Sequence, residues 1–250
     1  DDETIRGHIG MLEEAGLRPV AIDTVPGALF RGFERWQRRQ EDKERTVVFV
    51  DVGSQFTTVV FGRGVEVSFV KQIQIGGERF SREVAEKLGI TVVEAERLRE
   101  KLRAEKASNA AKSDSKSDST EETDAGEEPT LDASTRQVMV DAISSVAEEL
   151  AREVSLCLRY FTVTFRGKRV ERAVFSGGEA YENILLNVVR RQLTVEIEVA
   201  QPLRGFDISS EGESINLDSD RRGLLCEWAV AVGLGLKGVN ATGARAKARG

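Results

Sequence analysis

VDVGSQFTTVVFG, residues 50–62, decides the fold. Val, Phe and Thr dominate it, the residue types that suit a pleated and buried strand, and Gly53-Ser54 marks a turn between two runs. The stretch therefore reads as a buried β-hairpin. Asp51 stands where the first strand ends, and Ser54, Thr57 and Thr58 add hydroxyls around the turn. An Asp in such a place is ordinarily a turn-former. It is also the group a magnesium ion prefers, because hard cations favour carboxylate oxygen.

Working outward, residues 46–51, 56–61 and 65–75 read as three strands in a meander. In the third, Val65, Val67 and Phe69 alternate onto one face. Gly76-Gly77 ends it and opens a helix through FSREVAEKLG (80–89). Thr91 then caps a helix over 91–105, with Glu94 at the position a capping box requires. Upstream, 3–15 reads as a helix closed by Gly16, and LRPVAIDT (17–24) as a strand. Residues 26–39 follow as a helix presenting Leu29, Phe30, Phe33 and Trp36, and 40–45 as a charged linker.

Residues 107–130 are small, polar and repetitive, and cannot bury enough apolar surface to offset their ordering entropy. They read as a disordered insertion. A long helix over 131–162 follows, with an apolar stripe through Val138, Ile143, Val146, Leu150, Val154, Leu158 and Phe161. Strand 169–178, helix 181–193, strand 194–200 and a last helix over 221–237 complete the pattern, and 240–250 reads as a frayed tail. Strands and helices in this order predict an α/β fold with mixed sheets flanked by helices.

Composition narrows the function. A net charge of −6 argues against a nucleic-acid protein, because phosphate backbones demand a basic field. His8 is the one histidine, which removes Ser-His-Asp chemistry and most zinc sites. Cys157 and Cys226 lie in apolar helical patterns and read as reduced, buried thiols of a cytosolic protein. The most apolar stretch, 223–238, is interrupted by Glu227 and is too short to span a bilayer. The chain opens on Asp1-Asp2-Glu3 without Met, which reads as a fragment.

Three glycine turns follow strands: Asp51-Val52-Gly53-Ser54, Ile75-Gly76-Gly77-Glu78 and Phe175-Ser176-Gly177-Gly178-Glu179. Glycine lets a ligand approach the backbone, and free N–H groups in such turns point at anions. The last two precede helices, whose N-termini favour phosphate or carboxylate. Each turn alone is equally at home in a protein that binds nothing.

Taken in order, the motifs are similar to those of the actin-like ATPase superfamily. VVFVDVGSQFTTVVF resembles its second phosphate loop and AVFSGGEAYENI its adenosine loop. VKQIQIGGERFSREVAEKLGITVVEAERLREKL resembles the entry to the second lobe in FtsA-type members. MLEEAGLRPVAIDTVPGALFRGF, EELAREVSLCLRYF, EVAQPLRGF and WAVAVGLGLKG agree with the narrower PilM-like family of type IV pilus assembly proteins. The resemblance covers nearly all of the chain except 104–130 and the tail.

The resemblance implies a ribonuclease H-like, actin-like fold. No first phosphate hairpin precedes residue 50, so that fold is expected to be N-terminally incomplete. It divides the chain into the remainder of a first lobe (1–45) and the start of a second (46–103). The insertion (104–130), the rest of the second lobe (131–238) and a tail (239–250) follow. It implies ATP and Mg2+ as ligands. Asp51 would lie near the metal, through water, and near the attacking water. Gly53, Ser54 and Thr57 would approach the β- and γ-phosphates, and Gly177, Gly178 and Glu179 the adenosine and α-phosphate. Glu96 and Arg99 match a Glu and Lys that relatives direct toward the ribose; an ordinary solvated helix face is the alternative. Arg for Lys keeps the charge but changes the shape.

Three functions stay open at this level. A cytoplasmic scaffold, peripheral to the inner membrane, would dock the tail of a bitopic PilN-like partner, with hydrolysis weak or absent. Neither nucleic acid nor direct membrane insertion is expected of it, and oligomerisation is left open. A sugar or metabolite kinase would need a base and an acceptor pocket, for which no extra carboxylate motif stands out. An FtsA-like membrane tether would need bulky apolar residues in a terminal amphipathic helix, and 240–250 has none.

Overall fold

The computed structural model describes residues 2–34, 45–64, 66–114, 131–165, 169–204, 206 and 225–237, with the side chains of 106–114 excepted. Its centre is a five-stranded sheet. Strands β1 (Thr46–Val52), β2 (Thr57–Arg63) and β3 (Glu66–Ile73) form the meander, and β4 (Val170–Ser176) and β5 (Glu196–Val199) follow later in the chain. The order is β3-β2-β1-β4-β5. β2 runs antiparallel to both neighbours, while β1, β4 and β5 are parallel. The pairs Val50–Val59 and Val52–Thr57 confirm the hairpin and leave residues 53–56 as its turn. Both faces of β1 and β2 are covered, which is why their sequences are continuous apolar runs.

One face carries α3 (Gly77–Leu88), α4 (Val92–Asp114), α5 (Ala133–Thr164) and α6 (Asn183–Gln192). Its core joins Phe61, Phe80, Leu150, Phe161 and Phe175, with Phe61 and Phe161 stacked at 4.6 Å between centroids. The other face carries α2 (Val25–Glu34) and α7 (229–237). There Leu29, Phe30 and Phe33 close over Phe49, and the Phe33 ring stacks on Phe49 at 4.8 Å. Gly62 admits the Phe30 ring: a Cβ at that position would lie 2.0 Å from it. Helix α1 (Asp2–Glu14) buries no residue.

The local signals that end or start helices act as expected. Gly89 closes α3 at φ +66°. The Thr91 N–H donates to Glu94 at 2.9 Å and the Glu94 N–H to Thr91 Oγ1 at 3.3 Å, so the capping box forms. Cys157 and Cys226 are free and buried, and burial pushes the Cys226 thiol up to about 11.

Several expectations are corrected. Residues 17–24 form no strand, because a strand exists only through its ladder and no described strand pairs with them; Pro19 also lacks an N–H. Val67 and Phe69 do not share a face. A bulge between Phe61 and Gly62 sets Phe69 opposite Phe61 and Val67 opposite Gly62, neighbouring positions that face opposite sides. Helix α4 continues to Asp114, so residues 107–114 extend it rather than open a disordered segment. The α5 seam begins at Met139, not Val138, which is only half-buried. Two 3-10 turns, Gly178–Tyr181 and Cys226–Trp228, precede α6 and α7, so these helices begin later than the expected 181 and 221. Trp36, residues 40–44, Val65, 115–130, 221–224 and the tail 240–250 lie outside the described residues.

Candidate functional site

The parallel register of β1 and β4 sets Asp51 opposite Ser176. The Ser176 hydroxyl donates to Asp51 Oδ1 at 2.9 Å. Burial dominates the environment of this carboxyl and raises its pKa above the usual Asp range, and the Ser176 bond only partly offsets it. Two residues on, the Gly53 N–H donates to Phe56 O at 3.0 Å and closes the hairpin turn.

The three glycine turns differ in what they offer. The N–H groups of Gly77 and Glu78 donate to Gly53 O at 2.9 Å and Ser54 O at 2.8 Å. The first turn of α3 is therefore engaged by the hairpin and does not present these groups to an anion, contrary to the expectation for this helix start. A Cβ on Gly76 would sit 2.5 Å from Ser54 O, so only glycine lets the two turns meet. Gly177 has φ +88°, and a Cβ there would sit 2.4 Å from Val52 O. Its N–H is engaged by Cys226 O at 3.1 Å. Gly178 is different. It opens a 3-10 turn, whose first N–H groups have no partner inside the turn, and an added Cβ would meet nothing within 4 Å.

A cleft of about 260 Å³ joins these parts. Gly53, Ser54, Gly178 and Glu179 line it from the strand ends, and Glu96 and Arg99 from α4. Six sequence-expected residues thus share one hollow, while Asp51 and Gly177 lie beside them in the chain. Thr57 does not join them. It is fully buried, and its hydroxyl donates to Ile75 O at 2.7 Å, tying the approach of α3 to β2. A second hollow of about 610 Å³ lies against the same Gly53–Gln55 turn, between Pro26, Phe56 and Val70.

Arg99 is not on a solvated face. It is 4% exposed and donates to Gly77 O at 3.1 Å, Ser81 Oγ at 3.0 Å and Glu179 Oε2 at 2.5 Å. Arg103, one turn on, donates to Glu179 at 2.6 Å and Glu182 at 3.0 Å. Burial alone would lower the Arg103 pKa, but the two carboxylates outweigh it and raise the pKa. Sequence reading missed Arg103, Glu182, Ser81 and Ser176. The signal was present as matched spacings, arginines four apart and glutamates three apart. With both arginines paired to carboxylates and Glu78 paired with Arg82 at 2.9 Å, the rim is acidic through Glu96 and Glu100. Among the described residues no group of three or more His, Cys, Asp or Glu is placed to hold a metal. None of the described helices is long and apolar enough to cross a membrane.

This architecture is an actin-like fold, shared with the following solved structures. Among solved structures, the chain is similar to a PilM-PilN type IV pilus biogenesis complex at TM-score 0.70 and 22% identity, covering 95% of this chain and 58% of that one. It is similar to the ethanolamine utilization protein EutJ from Carboxydothermus hydrogenoformans at 0.55 and 16%, over 91% and 57%. It is similar to MreB5 of Spiroplasma citri bound to ADP at 0.52 and 10%, over 92% and 63%. The chain thus spans less than two thirds of each of these structures. No curated protein matches it. The family model described as "Cell division protein FtsA" matches residues 48–216, more than half of the chain, from β1 past β5. By that match the chain belongs to the FtsA family.

Proposed function

We propose that the protein is an actin-like scaffold that binds Mg-ATP and serves a type IV pilus or related secretion or competence machine. The observation that carries the nucleotide is the shared cleft: glycine-containing turns after β1 and β4, facing a helix wall with an exposed carboxylate. The residues fit such a ligand. Gly53, Ser54 and Gly178 allow phosphate to approach the backbone, and Glu96 offers acceptors to ribose hydroxyls. Asp51, desolvated and bonded to a single hydroxyl, gains from a nearby cation. Mg2+ would supply the positive charge that an acidic rim needs beside a polyanion, with Asp51 holding it through water. Thr57 is left out of this site.

In this reading, residues 1–45 belong to a first lobe, and 46–103 and 131–238 to a second. Residues 104–130 are an insertion and 239–250 a tail. Hydrolysis is weak or absent, and nucleotide stabilises the closed state by linkage. The partner is the cytoplasmic tail of a PilN-like bitopic protein, a reading supported by the fold similarity to the PilM-PilN complex. The family match supports a second reading, a cell-division role. A pilus-protein tail peptide that binds the chain favours the first; indifference to it favours the second.

Titration calorimetry with Mg-ATP tests the cleft, using the 250-residue chain beside Asp51→Ala and Gly178→Glu. Binding weakened at least tenfold by both changes supports the site. Heat that survives both variants unchanged places the nucleotide elsewhere, and a folded chain that takes up no Mg-ATP removes it.

A further inference from the structure

We infer that Arg99 and Arg103 form a latch on Glu179 and Glu182 that holds the Gly178–Tyr181 turn against α3 and α4, and thereby sets how tightly the cleft grips its ligand. The second half rests on the nucleotide reading above; the first does not.

The geometry is specific. Glu179 Oε2 sits between Arg99 Nη2 at 2.5 Å and Arg103 Nη2 at 2.6 Å. Glu182 Oε2 lies 3.0 Å from Arg103 Nε and 3.8 Å from Arg99 Nη2. Two arginines one helical turn apart therefore grip two carboxylates at the two ends of a single 3-10 turn. Arg99 reaches on to Gly77 O and Ser81 on α3, with its guanidinium 5.2 Å from the Phe80 ring centroid. Glu182 also caps α6 by accepting from the Ile184 N–H. A Cβ on Gly77 would lie 2.5 Å from Glu179 Oε1, so a larger residue there would displace the carboxylate that the arginines grip.

A buried ionic cluster is a poor device for stability alone, since apolar residues of similar volume often serve as well or better. Its value is register. It fixes one arrangement of α3, α4 and the turn after β4, three of the four elements that bound the cleft. The carboxylates come from a segment about eighty residues away in sequence, so the pairing also closes a long loop. Arg99 and Arg103 act here on the turn rather than on the ligand, which makes them positioning residues.

Hydrogen exchange of the 250-residue chain without nucleotide tests the latch, beside Mg-ATP affinity. Glu182→Gln keeps the shape and the cap of α6 but removes the charge that Arg103 meets. Arg103→Gln removes the other partner, and Arg103→Lys restores charge without the fork. Exchange of the hydrogen-bonded amides of 180–182 should rise at least tenfold in Glu182→Gln and Arg103→Gln, with β1 and β2 unchanged. Arg103→Lys should fall between, and Mg-ATP affinity should drop in the same order. Unchanged exchange at 180–182, or uniform acceleration that includes β1, overturns the latch. Faster local exchange with unaltered nucleotide affinity overturns its control of the cleft. Faster local exchange in a chain that never binds Mg-ATP leaves the latch standing and fails the nucleotide reading instead.

Discussion

Asp51 is a burden on the fold it completes. Desolvation raises its folded pKa above the ordinary value near 3.8, so the folded state holds a proton that the unfolded state releases. Between those two values stability falls as pH rises, and above the folded pKa the full penalty of an ionised carboxylate persists. Asp51→Asn removes the charge and leaves an oxygen to accept from Ser176. The variant should melt higher than the wild type at pH 7, and the difference should vanish as the pH is taken to about 4 and below. Equal melting temperatures at both pH values would show that Asp51 is not desolvated. The adjacent glycines separate architecture from access. Gly177→Ala meets Val52 O at an unfavourable φ and should destabilise by more than about 1 kcal/mol. Gly178→Ala meets nothing and should leave the denaturation midpoint within error, so it probes the cleft without disturbing the turn.

At the scale of elements, the crossing of α2 and α7 depends on one missing methyl group. A Cβ on Gly233 would lie 1.8 Å from Ala28 O, and Gly32 faces Ala229 O at 3.2 Å across the same contact. Gly233→Ala must push the helices apart, although alanine favours a helix by itself. Urea denaturation should show a loss of roughly 1–3 kcal/mol, the usual range for overpacking. What sequence could and could not disclose divides along this line. The capping box at Thr91, the stop at Gly89 and the hairpin at residues 50–62 are local devices, and each was legible. The two outer glycine turns of the cleft were legible because glycine marks a close approach wherever it falls. Residues 17–24 misled, since strand propensity is realised only with a neighbour. The anion site expected at α3 failed because its N–H groups found carbonyls more than twenty residues upstream. Arg99 and Arg103 look like any charged helix face until the segment carrying Glu179 and Glu182 is folded against them. Six residues that line the cleft were therefore named from sequence, but the pairing of Arg99 and Glu179 with Arg103 and Glu182 was not.

The whole molecule is a sheet with unequal layers, and its stability should be unequal too. The face with α3 to α6 holds the larger core, built on Phe61, Phe80, Phe161 and Phe175. The opposite layer rests on Leu29, Phe30 and Phe33 over Phe49, with Arg31 donating to Gly233 O at 2.9 Å and pairing with Asp23 at 2.7 Å. Lys237 adds a bond to Ile22 O at 2.9 Å. A layer with fewer buried apolar groups and partly exposed ion pairs should open without the rest. Helix α1 goes further: it buries no residue, and Ile5, Met11 and Leu12 are each more than 40% exposed. An isolated helix of 13 residues is marginal in water. Native-state hydrogen exchange in sub-denaturing urea should therefore give three classes. The α1 amides should exchange almost freely, those of α2 and α7 through a sub-global opening, and those of β1, β2, β4 and α5 only with global unfolding. Protection of α1 equal to that of β1 would contradict this ranking. Repeating the measurement at tenfold higher protein concentration then locates the cause, because protection that grows with concentration comes from a second copy covering Ile5, Met11 and Leu12, whereas constant protection means that α1 is held within its own chain.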